Sequence, residues 1–299
     1  MKSVPPFPLV SVAMSMRNSA STIREAIRSI QLQTLQDWEL IVIDNGSTDQ
    51  STEIVREFSD RRIRLIREKH SIGLAPRLNQ AVDLARGEFI ARMDADDMCF
   101  PNRLEQQIAR LRQNPSVDLL GCKAVVFASN GDLVGELPVG VTHQDIVAAP
   151  YLGFPLPHPT WCGQATWFKS NPYDARLEYA EDQDLLLRCF HRSTFATADA
   201  ILLAYRQDRL ALKKLLPGRA TFAKSLLRHG VGSGAGLAAA RGVATHFAKG
   251  IVDVATVGLG FNRAMQLRRL NPVSSPIVHQ WEALRRDLAR PYISTEDAR

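Results

Sequence analysis

The chain has 299 residues, of which 45% are hydrophobic, so it can build one large domain or two modest ones. Its four cysteines are scattered without a CxxC pair, which argues against a zinc knuckle and against a disulfide framework. No secretory signal or membrane-spanning run is expected, and a reducing cytoplasmic compartment is the simplest expectation.

The net charge of +6 is unevenly distributed along the chain. Residues 1–204 carry 21 Lys and Arg against 25 Asp and Glu, whereas residues 205–299 carry 16 against 6. A slightly acidic front and a strongly basic tail indicate two different roles. The tail favours a polyanionic partner, either a membrane surface or a nucleic acid.

Short apolar runs alternate with helical periodicity through the first part of the chain. The runs that are typical of buried strands are 9–14, 40–43, 63–66 and 88–93. The helices between them are expected from about Ser21, from Ser51 through Phe58, and over residues 73–84. Three strand-helix units followed by a strand favour an α/β fold with a mostly parallel sheet and helices on both faces.

After Pro115 the pattern changes. Residues 117–127 and 161–168 are interpreted as strands, and Asn130-Gly131 as a hairpin turn. Thr142 and Asp145 form a capping-box-like helix start, and residues 178–184 lead into another helix. Pro217-Gly218 is expected to interrupt the tail, which otherwise reads as helical to about Arg290.

An acidic cluster follows the fourth predicted strand directly. Asp94, Asp96 and Asp97 repel one another, and a divalent cation with oxygen ligands is the usual counter-charge. A second acidic loop, residues 44–49, follows the second strand, so both loops fall at the edge where parallel sheets bind ligands. Because a cation held by one or two carboxylates keeps positions for phosphates, the pattern predicts a metal-diphosphate site. The alternative is a polar loop in which Asp97 or Asn102 begins the next helix.

Over roughly residues 7–206, the chain resembles the family 2 glycosyltransferases, which have the GT-A fold. The resemblance rests on five motifs in this order: VAMSMRN at 12–18, IDNGSTD at 43–49, GLAPRLN at 73–79, DADD at 94–97 and ED at 181–182. It implies a GT-A domain over 1–206 and leaves a helical, basic extension over 207–299.

The same resemblance implies an activity. It is the inverting transfer of a sugar from a nucleoside diphosphate, with UDP favoured, to a hydroxyl of a glycan or lipid-linked acceptor. Bacterial-type surface glycan or lipid-linked oligosaccharide synthesis is the expected setting, and Mg²⁺ or Mn²⁺ the expected cofactor.

The family motifs assign roles to individual residues of this chain. Asp44 is expected to hydrogen-bond the nucleobase, and Arg77 to lie near the nucleotide. Asp94 is expected to reach the ribose or the metal, while Asp96 ligates the metal that bridges the diphosphate. Asp182 resembles the catalytic base.

Four further residues complete the expected site. Glu181 lies beside the base, and His158 belongs to a segment that resembles the lining of the sugar or acceptor pocket. Ser15 and Arg17 replace the proline and aromatic residue usual in the first loop, so Arg17 could stack on the base instead. Asn45 replaces a frequent second aspartate.

Structural roles stay open for several of these residues. Asp182 could occupy a first helical turn, where acids suit the helix dipole. Asp44 and Asp49 could be turn residues, and for Asp49 that interpretation is favoured. Arg77 could be a solvated helix residue, and His158 an ordinary loop residue.

The tail also has two interpretations. Val243, Phe247, Ile251 and Val254 share one helical face, which would either pack on its own domain or dock at a membrane interface. Docking on the inner face of the cell membrane would be helped by a basic set: Arg206, Arg209, Lys213, Lys214, Arg219, Lys224 and Arg228.

Two other classes of function compete with the glycosyltransferase. A sugar nucleotidyltransferase would more naturally carry a glycine-rich phosphate loop near the N-terminus, where residues 15–19 contain no glycine. A non-catalytic basic protein that binds nucleic acid would interleave aromatics with its charges, and the basic tail has few. No nucleic acid partner is therefore expected.

Overall fold

The computed structural model describes residues 7–208, 211–232 and 234–290. A nine-stranded sheet has the order β3-β2-β1-β4-β8-β6-β9-β5, and β7 pairs with β6 outside this path. The strands are β1 Val10–Met16, β2 Trp38–Asn45, β3 Ile63–Glu68, β4 Phe89–Arg92, β5 Met98–Cys99, β6 Leu119–Phe127, β7 Leu133–Glu136, β8 Cys162–Gln164 and β9 Phe195–Arg206. The helices are α1 Ile23–Gln31, α2 Ser51–Arg56, α3 Leu74–Leu84, α4 Arg103–Gln113, α5 His143–Ile146, α6 Ala165–Ser170, α7 Glu181–Cys189, α8 Leu212–Gly232, α9 Gly236–Gly258, α10 Asn262–Arg268 and α11 Ser275–Ala289.

The first four strands form the parallel half of the sheet. β1 pairs in parallel with β2 and β4, and β2 pairs in parallel with β3, as the alternating pattern predicts. α1 packs on this half through its predicted face of Ile23, Ala26, Ile27 and Ile30, all of which are buried. Because burying one isoleucine contributes about 1.5–3 kcal/mol, this face alone fixes the helix on the sheet.

The second half of the sheet is mixed. β8 pairs antiparallel with both β4 and β6, and β6 runs parallel to β9. The predicted hairpin joins β6 to β7, and Gly131 takes the left-handed conformation there at φ +91°. The predicted capping box is also present, since Asp145 N–H donates to Thr142 Oγ1 and Asp145 accepts from the Thr142 backbone.

Three predictions differ from the structure. The strand expected over 161–168 ends at Gln164, because the chain turns into α6 and buries Trp167 and Phe168 in the core. No element is predicted at β9, although it is the longest strand among the described residues. Pro217 lies inside α8 instead of interrupting the tail, and packing of Phe222 and Leu226 into the core offsets its missing hydrogen bond.

The helices of the tail complete the core of the α/β part of the chain. Phe222 and Leu226 of α8 pack with the helices on one side of the sheet. On the other side, the Trp281 ring of α11 packs against the Phe127 ring of β6 at a tilt of 44°, with ring centroids 4.8 Å apart. In the described part of the chain, no helix is both long and apolar enough to cross a membrane, and all four cysteines are free and buried.

Candidate active site

A cavity of about 970 Å³ opens where the fourth strand ends. The acidic loop after β4 contributes Asp94 and Asp96 to its wall, and the start of α7 contributes Glu181 and Asp182. His158 also lines this cavity. The acidic loop and the predicted base, 85 or more residues apart in sequence, therefore share one cavity.

The positive charge beside the acidic loop is a protein side chain. Arg92, the last residue of β4, is buried and donates to Asp94 with an Nη1–Oδ2 distance of 2.8 Å. Its Nε has no partner among the described residues. The apolar pattern of residues 88–93 predicts only a strand here, although an arginine inside such a run already indicates a buried charge that needs an acidic partner.

Arg206 at the end of β9 holds the acidic loop from the other side. Its backbone N–H donates to Asp97 Oδ1 at 2.9 Å, and its guanidinium donates to the Asp96 carbonyl and to Glu25. Asp97 is buried, and its Oδ2 has no partner among the described residues. It does not cap α4, which follows Asn102 instead.

Negative charge accumulates in this loop. Burial and then the charge of Asp94 raise the pKa of Asp96, which nevertheless faces the water of the cavity. Burial, followed by the charges of Asp94 and Asp96, raises the pKa of Asp97 well above its usual value. Lys214 of α8 lines the same cavity and opposes the shift at Asp96. The loop therefore retains an affinity for further positive charge.

The predicted base lies at the start of α7. Ala180, which precedes the helix, is held in the left-handed region at φ +54°, a conformation that costs a non-glycine residue roughly 1–2 kcal/mol. Burial and then the charge of Asp182 raise the pKa of Glu181 to about 7. Burial also raises the pKa of Asp182, whose carboxylate accepts from Gln183 at 3.2 Å. Strain and paired acids mark this turn as a site of chemistry.

An aromatic group supports His158 behind these acids. The His158 Nε2 lies 2.8 Å from the Tyr173 hydroxyl, and its Nδ1 lies 3.7 Å from Glu181 Oε1. The Trp161 ring meets the imidazole edge-on with centroids 4.6 Å apart. Burial, followed by the charge of Arg92, lowers the pKa of His158 well below its usual value, so the imidazole is neutral. Sequence analysis does not identify Tyr173, because nothing local links it to His158.

Helix α4 fixes the backbone on both sides of the cavity. Arg103 is buried and donates from Nη2 to the carbonyls of Arg92, at 2.7 Å, and Pro159, at 2.9 Å. Gln107, one turn later, donates to the Thr160 carbonyl at 2.8 Å. The acidic strand end and the His158 segment are thus bonded to the same helix.

Asp44 lies at the end of β2 and does not line this cavity. It is completely buried, its Oδ1 accepts from the Ser47 N–H at 2.9 Å, and its Oδ2 has no partner among the described residues. Asp49 is a turn residue, as favoured, since it accepts from the N–H groups of Ala20 and Ser51.

Arg77 is neither solvated nor part of this cavity. It is buried, its Nε donates to Asn45 Oδ1 at 3.0 Å, and its Nη2 donates to the His70 carbonyl at 2.8 Å. The interpretation of Arg77 as a solvated helix residue is therefore wrong, because its guanidinium holds the loop after Asp44. Ser15 lies on β1 opposite Ile43, outside the cavity lining.

The apolar face of the tail does not have the arrangement expected if it packed on its own domain. Val243 packs against the core, but Phe247, Ile251 and Val254 are exposed, so most of this face does not pack on its own domain. Three of the basic residues expected at a membrane are engaged elsewhere. Arg206 holds the acidic loop, Arg219 donates to the buried Asp253 at 2.6 Å, and Arg228 donates to Asp174 at 3.2 Å. Arg209 lies outside the described residues.

The donor set of the acidic loop suits a hard cation that is shared with a ligand. Among the residues that the structure describes, no three His, Cys, Asp or Glu side chains converge as a metal site. Mg²⁺, however, is commonly held by one or two carboxylates together with substrate phosphates. Asp96 faces the cavity with excess negative charge around it, whereas Arg92 already neutralises part of Asp94. The residues therefore fit a cation held mainly through Asp96.

This sheet carries two groups of acids on one cavity, at the edge where parallel sheets bind ligands. The chain matches the model of Glycosyl transferase family 2 over residues 11–149. It is 33% identical over 205 residues to an uncharacterized glycosyltransferase of Methanocaldococcus jannaschii. The aligned region covers 67% of this chain and 71% of that protein. The chain belongs to glycosyltransferase family 2 and is a glycosyltransferase.

Other similarities extend this result. The UDP-Glc:alpha-D-GlcNAc-diphosphoundecaprenol beta-1,3-glucosyltransferase WfgD of Escherichia coli is 36% identical over 141 residues, 46% of this chain and 55% of that protein. The crystal structure of S. aureus TarS 1-349 in complex with UDP superposes with a TM-score of 0.60 and 20% identity, covering 93% of this chain and 79% of that one. The GT-A-like architecture predicted from sequence is thereby confirmed, including the helical C-terminal region.

Proposed function

We propose that the protein transfers a sugar, with inversion, from a UDP-sugar to a hydroxyl of a glycan intermediate in surface polysaccharide synthesis. The observation that carries the proposal is the cavity shared by Asp96 and Asp182. TarS structures similar in fold contain UDP and UDP-GlcNAc, which supports a nucleotide-sugar donor. The name of WfgD gives a diphosphoundecaprenol-linked sugar as the acceptor of that protein, which supports a lipid-linked acceptor here.

The donor would lie along the carboxyl edge of the sheet. The nucleoside would reach the ends of β1 and β2, where the exposed Arg17 can stack on the base. Asp44 Oδ2, which is buried and has no partner among the described residues, would accept an N–H of the base once the loop that covers it moves aside. The diphosphate would then lie by Asp94 and Asp96, with Lys214 lining the same cavity. When bound by Asp96, Mg²⁺ or Mn²⁺ would supply Lewis-acid neutralisation of the leaving diphosphate.

The reaction requires one base on the acceptor side. Asp182 would take the proton of the acceptor hydroxyl while the hydroxyl oxygen of the acceptor bonds to the anomeric carbon. The bond from that carbon to the diphosphate oxygen breaks, and its electron pair leaves with the diphosphate. One displacement of this kind inverts the anomeric configuration. Glu181, whose pKa is raised to about 7, would be the acid of the pair that holds a proton near neutral pH, which leaves the charge on Asp182.

The test is a donor screen that measures released nucleoside diphosphate. A panel of nucleotide sugars would be incubated with the protein and Mn²⁺, with and without a lipid-diphosphate acceptor. Release of UDP from one sugar donor supports the proposal, and acceptor-dependent release supports transfer. Formation of sugar nucleotide from a nucleoside triphosphate, with no UDP release, would instead identify a nucleotidyltransferase.

A further inference from the structure

Helix α9 has the reverse of the usual amphipathic arrangement. Its buried positions are Ala239, Gly242, His246 and Asp253, which are small or polar. Its large apolar side chains point outward: Phe247 is 73% exposed, Ile251 58% and Val254 47%. A helix that packs only on its own protein would have the opposite distribution.

Specific contacts fix this orientation. The buried Asp253 accepts from Arg219 of α8 at 2.6 Å and from Arg269 at 2.7 Å. At Gly242 the helix lies so close to Tyr151 that an added Cβ would come within 2.5 Å of the Tyr151 carbonyl oxygen. Turning α9 to bury Phe247 would break this ion-pair network and remove the close contact. The outward apolar face is therefore a determined feature of the fold.

The exposed face borders an apolar groove between α8 and α9. Leu216, Ala220 and Ala223 of α8 form one wall, Val243 and Phe247 of α9 contribute to the other, and the groove holds about 550 Å³. Of the fourteen large apolar side chains exposed in the described part of the chain, nine belong to residues 211–269. Such clustering marks an interaction surface, because scattered exposure would need no explanation.

The charge around this surface identifies the partner. Residues 211–269 contain ten Lys and Arg and one acidic residue, Asp253, which is buried and paired. Helical spacing places Lys213 and Lys224 beside the groove wall at Ala220, and both lysines are exposed. Large apolar side chains flanked by lysines, without exposed acids, suit the interface of an anionic bilayer.

We propose that the surface formed by α8 and α9 docks on an anionic membrane, with Phe247 and Ile251 entering the acyl-chain boundary. Lys213 and Lys224 then meet the lipid phosphates. α8 joins this surface to the active cavity, since Lys214 and Leu215 line the cavity and Leu216 lines the groove. The docking itself does not depend on the proposed function. The role of docking in presenting a lipid-linked acceptor to the cavity does rest on it.

Vesicle sedimentation of the full chain tests the docking. Wild type should pellet with vesicles of phosphatidylcholine and phosphatidylglycerol, and less with phosphatidylcholine alone. The double variant Phe247→Ser/Ile251→Ser should partition at least about tenfold less, because each side chain loses its apolar burial in the bilayer. Phe7→Ser/Ile72→Ser is the matched control, since Phe7 is 71% and Ile72 55% exposed elsewhere, and it should bind like wild type.

The charge contribution is tested separately. Lys213→Glu/Lys224→Glu should lose its preference for phosphatidylglycerol while keeping the thermal midpoint of wild type. Binding of UDP with Mn²⁺, measured by calorimetry, should be unchanged in the Phe247/Ile251 variant. The proposal is supported if wild type binds anionic vesicles and the Phe247/Ile251 variant loses vesicle binding while it still binds UDP.

Three results would overturn the docking surface. Wild type could fail to pellet with anionic vesicles, or the Phe247/Ile251 variant could pellet as well as wild type. Wild type could also form a dimer in sedimentation analysis that this variant abolishes, without vesicle binding, and the face would then join two copies of the chain. If docking occurs but no UDP binds, the proposed function fails and the membrane surface stands.

Discussion

At the scale of single residues, the site separates two neighbouring acids by their surroundings. Glu181 is buried against His158 and Asp182, and its pKa is raised to about 7. Asp182 lines the cavity; burial raises the pKa of its carboxyl as well, but a hydrogen bond from Gln183 opposes that rise. One acid can thus stay protonated near neutral pH while the other acts as a base.

Replacing the proposed base tests this division directly. Asp182→Asn keeps the shape and hydrogen bonding of the side chain but cannot accept a proton. Transfer should fall about 10²–10⁴-fold, while donor binding measured by calorimetry stays within about twofold of wild type. Asp199→Asn, an exposed acid outside the cavity, should leave transfer unchanged. Transfer by Asp182→Asn at the parental rate would remove Asp182 from the mechanism.

The raised pKa of Glu181 makes stability depend on pH. The unfolded carboxyl titrates near 4.5 and the folded one near 7, so between these values the folded state holds the extra proton. Its contribution is complete below about pH 4.5 and is lost as pH rises through about 7. Glu181→Gln should remove this decline, on the order of 2 kcal/mol, in urea unfolding from about pH 5 to about pH 8. Parallel pH profiles of wild type and variant would contradict the assignment.

At the scale of elements, α4 aligns two segments that are distant in sequence. Arg103 bonds the carbonyls of Arg92 and Pro159 and therefore links the end of β4 to the His158 segment. Helical periodicity predicts α4 but not this role, because periodicity identifies the face that is buried and not the carbonyls that lie behind it. A buried arginine in such a helix is the only local signal.

Removal of this link should loosen the site. Arg103→Leu leaves two buried carbonyls unsatisfied, so the free energy of unfolding should fall by about 3 kcal/mol, measured by urea denaturation. Arg110→Leu, an exposed position on the same helix, should change it by less than about 0.5 kcal/mol. Equal stabilities of the two variants would show that the Arg103 contacts contribute nothing.

The elements that the sequence predicts best are those with local causes. β1 to β4 and α1 to α3 follow from apolar runs and helical spacing, and the hairpin and capping box follow from turn chemistry. β9 and the short β8 depend on partners far along the chain, so no local pattern defines them. Pro217 shows the same effect, since tertiary packing outweighs a local helix breaker.

At the scale of the whole molecule, the topology brings the site together. Parallel strands place the loops after β2 and β4 at one edge, which the sequence predicts, and the mixed half then places α7 opposite them. The sequence does not predict that Arg92, Arg206 and Lys214 would surround the acidic loop, because β9 and α8 reach it only in the folded chain. The tail thus contributes to the cavity as well as to the core.

Calorimetric titration of UDP tests the central claim that Asp96 holds a cation against the donor diphosphate. Wild type should bind UDP in the presence of Mn²⁺ and lose about tenfold or more in affinity when the metal is chelated. Asp96→Ala should bind UDP weakly, and equally so with or without Mn²⁺. Undiminished Mn²⁺-dependent binding by Asp96→Ala, or wild-type binding of UDP that chelation does not affect, would contradict the account.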